Sequence, residues 1–208
     1  AGVLSIGAMV AEGMRSLPTQ WSFAEESAAK HGNSVDRKNW RIVMNWHIAE
    51  TRKEARLQAK EGLLRHNNDY SVATLNPDEG TIYKSPDDAV DGVAFSENST
   101  AVIGTPDDLI AKIKEMISIT GGFGCVIGFA HDWANRENTL KSWDLVARYV
   151  IPEINGLLDD YRESHEFVTN NRETWVRARE AVMNKIESNE RSAEIMETQG
   201  YEGEKSKS

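Results

Sequence analysis

Hydrophobic and polar positions along the chain predict short strands that alternate with helices. Three apolar runs show little alternation with polar residues, which is typical of strands in a parallel sheet covered by helices. These runs are residues 2–8 (GVLSIGA), 40–48 (WRIVMNWHI) and 123–130 (FGCVIGFA). Their order among the predicted helices favours an α/β fold, with the strands parallel and adjacent.

Helix signals separate these runs. In the segment after the second run, Thr51 and Glu54 form a capping box, and the predicted helix continues to about Arg65. Thr105 and Pro106 are typical of the first positions of a helix, which ends at Gly121. Further helices are predicted at residues 14–32, at about 138–151 (ending before Pro152) and from about 169 onward.

One internal segment and the C-terminus break this rhythm. Residues 67–100 are rich in Asn, Asp, Ser and Gly and predict a long mobile loop with one helical turn at SPDDAVDG. We therefore divide the chain into a sheet-containing part at 1–155, a helical extension at 156–200 and a disordered polar tail at 201–208. Three strands cannot close a (β/α)8 barrel, which needs eight. The sheet is either open or part of a barrel.

Composition excludes several classes of function. The 208 residues carry a formal charge of −9, which argues against a nucleic-acid partner. No apolar run approaches the roughly 20 residues that span a bilayer. The single cysteine, Cys125, favours a reducing cytoplasm and is expected to be a buried, inert thiol, with a reactive thiol as the alternative. The chain opens on a strand-like run without Met, so we expect a fragment, a processed product or a trimmed form of a longer protein.

The second run contains the first candidate site residues. Because side chains alternate along a strand, Trp40, Ile42, Met44, Trp46 and Ile48 share one face, and Asn45 and His47 lie on the other. The apolar face is expected to pack under helices. Asn45 and His47 approach the C-terminal end of the strand, where α/β proteins bind ligands. Alternatively, neighbouring strands and backbone groups satisfy both side chains.

A second group of candidates follows the third run. His131, Asp132 and Trp133 lie just beyond it, at the equivalent end of the predicted sheet. An imidazole, a carboxylate and an indole together are suited to a ligand pocket. In the alternative interpretation Asp132 caps a helix and Trp133 packs in the core. The five histidines lack metal-ligand spacing, so no metal site is predicted.

Several motifs together resemble the C-terminal half of the bacterial-luciferase-like flavin monooxygenases, and most of all the limonene-monooxygenase type. They are LSIGA, WRIVMNWHIAETRKEA, VIGTPDDLIAKI and GGFGCVIGFAHDWANRENTLKSWDLVARYVIPEI, and they cover about residues 1–155 apart from the loop. The resemblance implies that the three strands are the last three of a (β/α)8 barrel. It also implies the absence of the first five strands, whereas the C-terminal helical tail, predicted from its own pattern, lies beyond the resemblance.

The resemblance further implies a role for each candidate residue. His47 and Asn45 match catalytic positions; Ser5, Gly7 and Asn45 match positions near the flavin; His131, Asp132 and Trp133 match the substrate pocket. The implied chemistry is oxygenation of a small organic substrate by dioxygen and reduced FMN, which a separate flavin reductase supplies. The resemblance implies a homo-oligomeric full-length enzyme. Two alternatives stay open: a deazaflavin-dependent oxidoreductase of the same fold, and a non-catalytic remnant that acts as an interaction module.

Overall fold

The computed structural model describes residues 3–5, 13–75 and 80–198. Gly7 and the predicted tail at 201–208 lie outside these residues. The chain divides into two compact units, one ending at Leu157 and the other beginning at Leu158. The first unit contains the sheet and the second is helical. Among the described residues, no helix is long and apolar enough to cross a membrane.

The first unit is built on a small parallel sheet with β2 at its centre. β1 pairs with residues 40–42 of β2, and β4 pairs with residues 41–45, so these two strands lie on opposite edges of β2. β3 pairs with the last three residues, 46–48. The strands are β1 (Val3–Ser5), β2 (Trp40–Ile48), β3 (Val102–Gly104) and β4 (Cys125–Phe129).

Helices alternate with these strands and continue beyond them. The helices of the first unit are α1 (Gly13–Lys30), α2 (Arg52–Arg65), α3 (Pro86–Ala94), α4 (Pro106–Thr120), α5 (Arg136–Leu145) and α6 (Ile151–Ile154). A π-helical segment, His66–Leu75, extends α2, and a second one, Val146–Val150, joins α5 to α6. The described residues of the second unit form α7 (Asp159–Asn170), α8 (Arg172–Glu187) and α9 (Glu190–Thr198).

Two hydrophobic clusters hold the first unit together. The larger one packs α1, α4 and residues 146–150 against the face of β2 that carries Trp40, Ile42 and Met44, all of which are fully buried. This confirms the face predicted to lie under helices. The smaller cluster joins α2 and α3 to Ile103 of β3 and to Trp133. Burial of these apolar side chains is the main stabilising contribution to such an α/β unit.

The structure corrects the predicted number of strands. β3 is a fourth strand, which directly precedes the predicted helix cap Thr105. Three residues are too few to show a strand periodicity, and the strand forms because the end of β2 offers it a free edge. Val102 and Ile103 are both buried, Val102 in the larger hydrophobic cluster and Ile103 in the smaller one.

The predicted loop at 67–100 is also corrected, because most of its described residues are helical. The π-helical segment runs to Leu75, and α3 replaces the single predicted turn. Asn side chains usually compete with the local backbone for hydrogen bonds. Here Asn67 and Asn68 instead bond to residues 81 and 83, so the helix continues past them. The mobility of this segment stays a prediction.

Asn68 should control proteolysis at Lys84. Its side chain accepts a hydrogen bond from the Tyr83 amide at 3.1 Å and donates one to the Tyr83 carbonyl at 2.8 Å. Asn68→Ala removes both bonds, so residues 80–85 should open more often and trypsin should cleave after Lys84 faster than in the unmodified chain. Mass spectrometry of a digestion time course measures this rate. An unchanged rate would show that other contacts hold the segment.

Two further expectations are wrong. The helix predicted to end before Pro152 continues to Ile154, because Pro152 falls in the first turn of α6, where a missing N–H is tolerated. Cys125 is exposed, not buried. It lies on the face of β4 that Ile127 and Phe129 share, and both of these side chains are also more than one-third exposed.

Candidate functional site

The candidate site lies at the C-terminal ends of β2 and β4. Asn45 and His47 occupy the face of β2 opposite the larger hydrophobic cluster, and both are buried. At the end of the neighbouring strand β4 and just beyond it, Phe129, His131 and Trp133 follow one another at every second position. The alternation of side-chain direction along β4 continues past Phe129, so these three rings lie on the same side.

A hydrogen bond joins the two strand ends. His131 Nε2 lies 2.8 Å from Asn45 Oδ1. Because an amide oxygen only accepts, the imidazole donates from Nε2, and its Nδ1 is left as an acceptor. Nδ1 is buried and has no hydrogen-bond partner among the described residues, and the same holds for the indole Nε1 of Trp133. The sequence therefore predicted correctly that Asn45 and His131 lie at equivalent strand ends, and the structure brings them into contact.

Aromatic rings surround His131. It stacks on Trp133 with the ring centroids 4.6 Å apart and the planes only 2° from parallel. Phe129 lies 4.7 Å away on the strand side, and His66 meets the imidazole edge-on at 4.6 Å. Trp133 is buried in the smaller hydrophobic cluster. These contacts fix the orientation of the imidazole that Asn45 binds.

His66 is a site residue that the sequence analysis missed. It is the first residue of the π-helical segment, a type of distortion that is frequent at functional sites. It continues a row of small residues along α2, formed by Ala55, Ala59 and Gly62, at helical spacing. That row was the available signal, because small residues let another segment approach a helix closely.

Gly62 allows the segment after β4 to contact α2. A Cβ atom at Gly62 would lie 2.2 Å from the Trp133 carbonyl oxygen and 2.6 Å from that of Asp132. Gly62→Ala should therefore cost about 1–3 kcal/mol despite the better helix propensity of alanine, because a backbone obstacle has to move. Urea unfolding measures this change in the free energy of unfolding.

Gly92 in α3 provides the matched control. Its added Cβ would meet the Tyr83 side chain, at 2.3 Å from the hydroxyl, and that ring can rotate away. Gly92→Ala should cost less than Gly62→Ala. If the two substitutions lowered the free energy of unfolding equally, the close contact at Gly62 would not be what limits how near α2 lies to the segment after β4.

The other predicted residues lie apart from this contact. His47 Nε2 is 2.9 Å from Gln58 Oε1 on α2, so a helix residue satisfies it. Asp132 is exposed, and its carboxylate lies 3.8 Å from His66 Nδ1. Ser5 is buried, and its hydroxyl accepts a 2.7 Å hydrogen bond from the indole of Trp40. The proposed roles of His47, Asp132 and Ser5 in binding or catalysis stay predictions.

Burial keeps the histidines of the site neutral. Desolvation, reinforced by nearby His66, lowers the pKa of His131 to about 4. Desolvation also lowers the pKa of His66, partly offset by Asp132, and the pKa of His47, partly offset by the bond to Gln58. At neutral pH the site therefore offers uncharged imidazoles, which donate and accept hydrogen bonds without attracting anions.

Folding stability should fall with acid because of His131. Its pKa is about 4 in the folded protein against 6.5 ordinarily, so the unfolded chain binds more protons between these values. This contribution to stability is complete above the unfolded pKa and is lost as the pH falls through the folded pKa. The stability difference between the natural chain and His131→Gln should therefore shift in favour of the variant from pH 7.5 to pH 5, as measured by urea unfolding. A pH-independent difference would contradict the low pKa.

The fold and the site together define an α/β protein with a polar, aromatic-lined contact at the C-terminal ends of parallel strands. No protein-family model matches the chain. Over 152 residues it is 32% identical to 4-hydroxyprotoasukamycin monooxygenase of Streptomyces nodosus subsp. asukaensis, covering 73% of this chain and 40% of that enzyme. It is 33% identical over 156 residues to limonene 1,2-monooxygenase of Rhodococcus erythropolis, covering 75% and 39%.

A solved structure shares the fold. The monooxygenase RslO1 from Streptomyces bottropensis superposes with a TM-score of 0.52 at 19% identity, over 74% of this chain and 42% of that one. The chain belongs to the bacterial-luciferase-like family of flavin-dependent monooxygenases. It spans about two fifths of the length of the relatives it matches.

Proposed function

We propose that the full-length protein is a flavin-dependent monooxygenase that oxygenates a small organic substrate with dioxygen and reduced FMN. One oxygen atom enters the substrate and the other leaves as water, and reduced FMN supplies the two electrons. A separate flavin reductase provides the reduced FMN, and the protein acts in the cytoplasm as a homo-oligomer. The contact between Asn45 and His131 carries this proposal, because it places a neutral, oriented imidazole at the ligand-binding end of the sheet.

The chain would contribute the last strands of a (β/α)8 barrel. β1, β2 and β4 are adjacent and parallel, as consecutive barrel strands are. The inward side of such a barrel is the face that carries Asn45 on β2 and Phe129 on β4. Phe129 and Ile127 are partly exposed on this face, as expected where further strands complete the interior. We assign residues 1–155 to the barrel and 156–200 to a helical extension.

The residues present fit a flavin. A flavin ring is planar and apolar on its faces and hydrogen-bonds at its edges, which suits an aromatic wall with neutral donors and acceptors. Phe129 offers such a wall, and the imidazole of His131 keeps an acceptor without a partner among the described residues. Asn45 fixes which nitrogen of that imidazole carries the proton. His131, Asp132 and Trp133 would border the substrate beside it.

Activity of the full-length protein tests this proposal. With a flavin reductase, NADH, FMN and ¹⁸O₂, we expect one labelled oxygen atom in the product of a cyclic terpene or cyclic ketone. Omitting FMN should abolish incorporation. Titrations of the same protein with FMN and with a deazaflavin separate the two cofactors. Tight binding of deazaflavin alone, or oxidation without labelled oxygen, would overturn the proposal.

A further inference from the structure

A cavity of about 570 Å³ lies behind the sheet, on the side away from Asn45 and His131. Its floor is the helix-facing side of β4, with Val126 and Gly128, and its two walls are α4 and the helical segment from α5 to α6. Trp46 of β2 also lines it, and Trp46 and Asn45 lie on opposite faces of that strand. The cavity is therefore separate from the candidate site, and all of it belongs to the first unit.

The walls of this cavity are apolar. The side chains at its back are buried, namely Leu109, Ile113, Val146 and Val150. Ile117 and Ile151, on the two walls, are more than one-third exposed and mark its mouth. A salt bridge of 2.7 Å between Lys114 Nζ and Glu153 Oε1 ties α4 to α6. The cavity is thus partly enclosed between elements that contact each other.

Two indole rings line the same cavity. The ring centroids of Trp46 and Trp143 are 4.9 Å apart, and Gly128 makes room for both rings, because a Cβ atom there would overlap them. The indole Nε1 of Trp46 is buried and has no hydrogen-bond partner among the described residues. An unpaired buried donor is costly, so such a group normally meets an acceptor. A molecule in the cavity can supply that acceptor.

We propose that this cavity binds an uncharged, mainly apolar small molecule that carries a hydrogen-bond acceptor. Its volume lies within the range of about 300–1,000 Å³ that is typical of small-molecule sites. None of the described residues that line it is charged, so an ionised ligand would lose its hydration without gaining a partner. A carbonyl or hydroxyl oxygen of the ligand accepts from Trp46 Nε1, and the rest of the molecule packs between α4 and the opposite wall.

A protein segment suits the cavity less well than a small molecule. An inserted backbone would bring N–H and C=O groups that these apolar walls cannot pair. The proposed binding also does not depend on the proposed oxygenation, because it uses the helix-facing side of β2 and β4 and not the side of Asn45.

Fluorescence titration of the full 208-residue chain with prodan, an uncharged naphthyl ketone, tests the site. We expect saturable quenching of tryptophan emission with one probe bound per chain. Ala147→Phe fills the cavity from its wall and should raise the dissociation constant about tenfold or more. Ala111→Phe is the matched control, at an exposed position of α4 outside the lining, and should change the constant less than about twofold. Equal effects of the two variants would overturn the proposal.

Trp46→Phe tests the hydrogen bond. It keeps an aromatic ring and removes the N–H donor, so the dissociation constant for prodan should rise about fivefold. An analogue of prodan in which a methylene group replaces the carbonyl should bind equally to both chains. If Trp46→Phe weakened both probes to the same extent, Trp46 would act through packing alone, and the required acceptor would be wrong.

Two further measurements locate the probe. Phe129→Ala changes the opposite face of β4 and should alter the dissociation constant less than about twofold. A large loss with Phe129→Ala and none with Ala147→Phe would place the probe at the candidate site instead. In the full-length protein, prodan should still bind and Ala147→Phe should still weaken it. Loss of binding there would show that the rest of the protein fills the cavity, which would overturn the proposal.

Discussion

Trp40→Ala should destabilise the first unit by about 3–5 kcal/mol, the usual cost of removing a large buried aromatic side chain. Trp40 is fully buried at the start of β2. Its ring centroid is 5.2 Å from that of Trp21 on α1 and 6.3 Å from that of Phe123 before β4. Its indole also donates to Ser5 of β1 at 2.7 Å, so one side chain ties three segments to the central strand. Urea unfolding monitored by far-ultraviolet circular dichroism measures the loss.

Two variants separate packing from the hydrogen bond. Trp40→Phe keeps most of the buried ring and removes the indole donor, so it should cost about 1–3 kcal/mol from the unpaired hydroxyl of Ser5 and the smaller ring. Arg41→Ala, at the next position, removes an exposed side chain on the opposite face and should change stability by less than about 0.5 kcal/mol. A comparable loss for Arg41→Ala would mean that the two faces of β2 have been exchanged.

The sequence was sufficient to predict the central strand and its two faces. Alternation along residues 40–48 separated the apolar set that includes Trp40 and Met44 from Asn45 and His47, because one face of a covered strand must be apolar. Capping residues gave the starts of α2 and α4 correctly, since Thr51 and Thr105 bond to the amides that each first turn leaves unpaired. These features depend on local spacing alone.

The contacts that complete the site depend on distant residues and were not predictable. His66 lies 65 positions before His131 in the chain and meets it because α2 packs against the segment after β4. Gln58 satisfies His47 through the packing of α2 on the end of β2. The row of small residues at Ala55, Ala59 and Gly62 indicates a close approach to that face of α2 but not which segment approaches, and no spacing indicates the bond to Gln58. The strand β3 was missed for a similar reason: its short run gains its strand character from the edge of β2.

Under the proposed function, breaking the contact between Asn45 and His131 should lower kcat of the full-length protein by about 10²-fold. A positioned group that donates or accepts a proton or a hydrogen bond typically contributes this much. Asn45→Leu removes the acceptor that holds the imidazole, and His131→Leu removes the imidazole itself. Both variants remove the 2.8 Å hydrogen bond but keep a side chain of similar volume. We therefore expect a large loss of kcat with only a small change in the melting temperature. Coupled assays with ¹⁸O₂ measure product formation and unproductive oxygen consumption together.

The double variant tests whether the two residues act as a unit. If Asn45 serves the reaction through His131, Asn45→Leu combined with His131→Leu should lose no more activity than His131→Leu alone, about 10²-fold. Independent contributions would instead multiply to about 10⁴-fold. His47 offers the contrast, because its bond is to Gln58 on α2 and not to His131. His47→Gln combined with His131→Leu should therefore be close to the product of the two single effects. Multiplicative behaviour of Asn45 and His131 would show that their hydrogen bond is structural and that each residue reaches the reacting groups by itself.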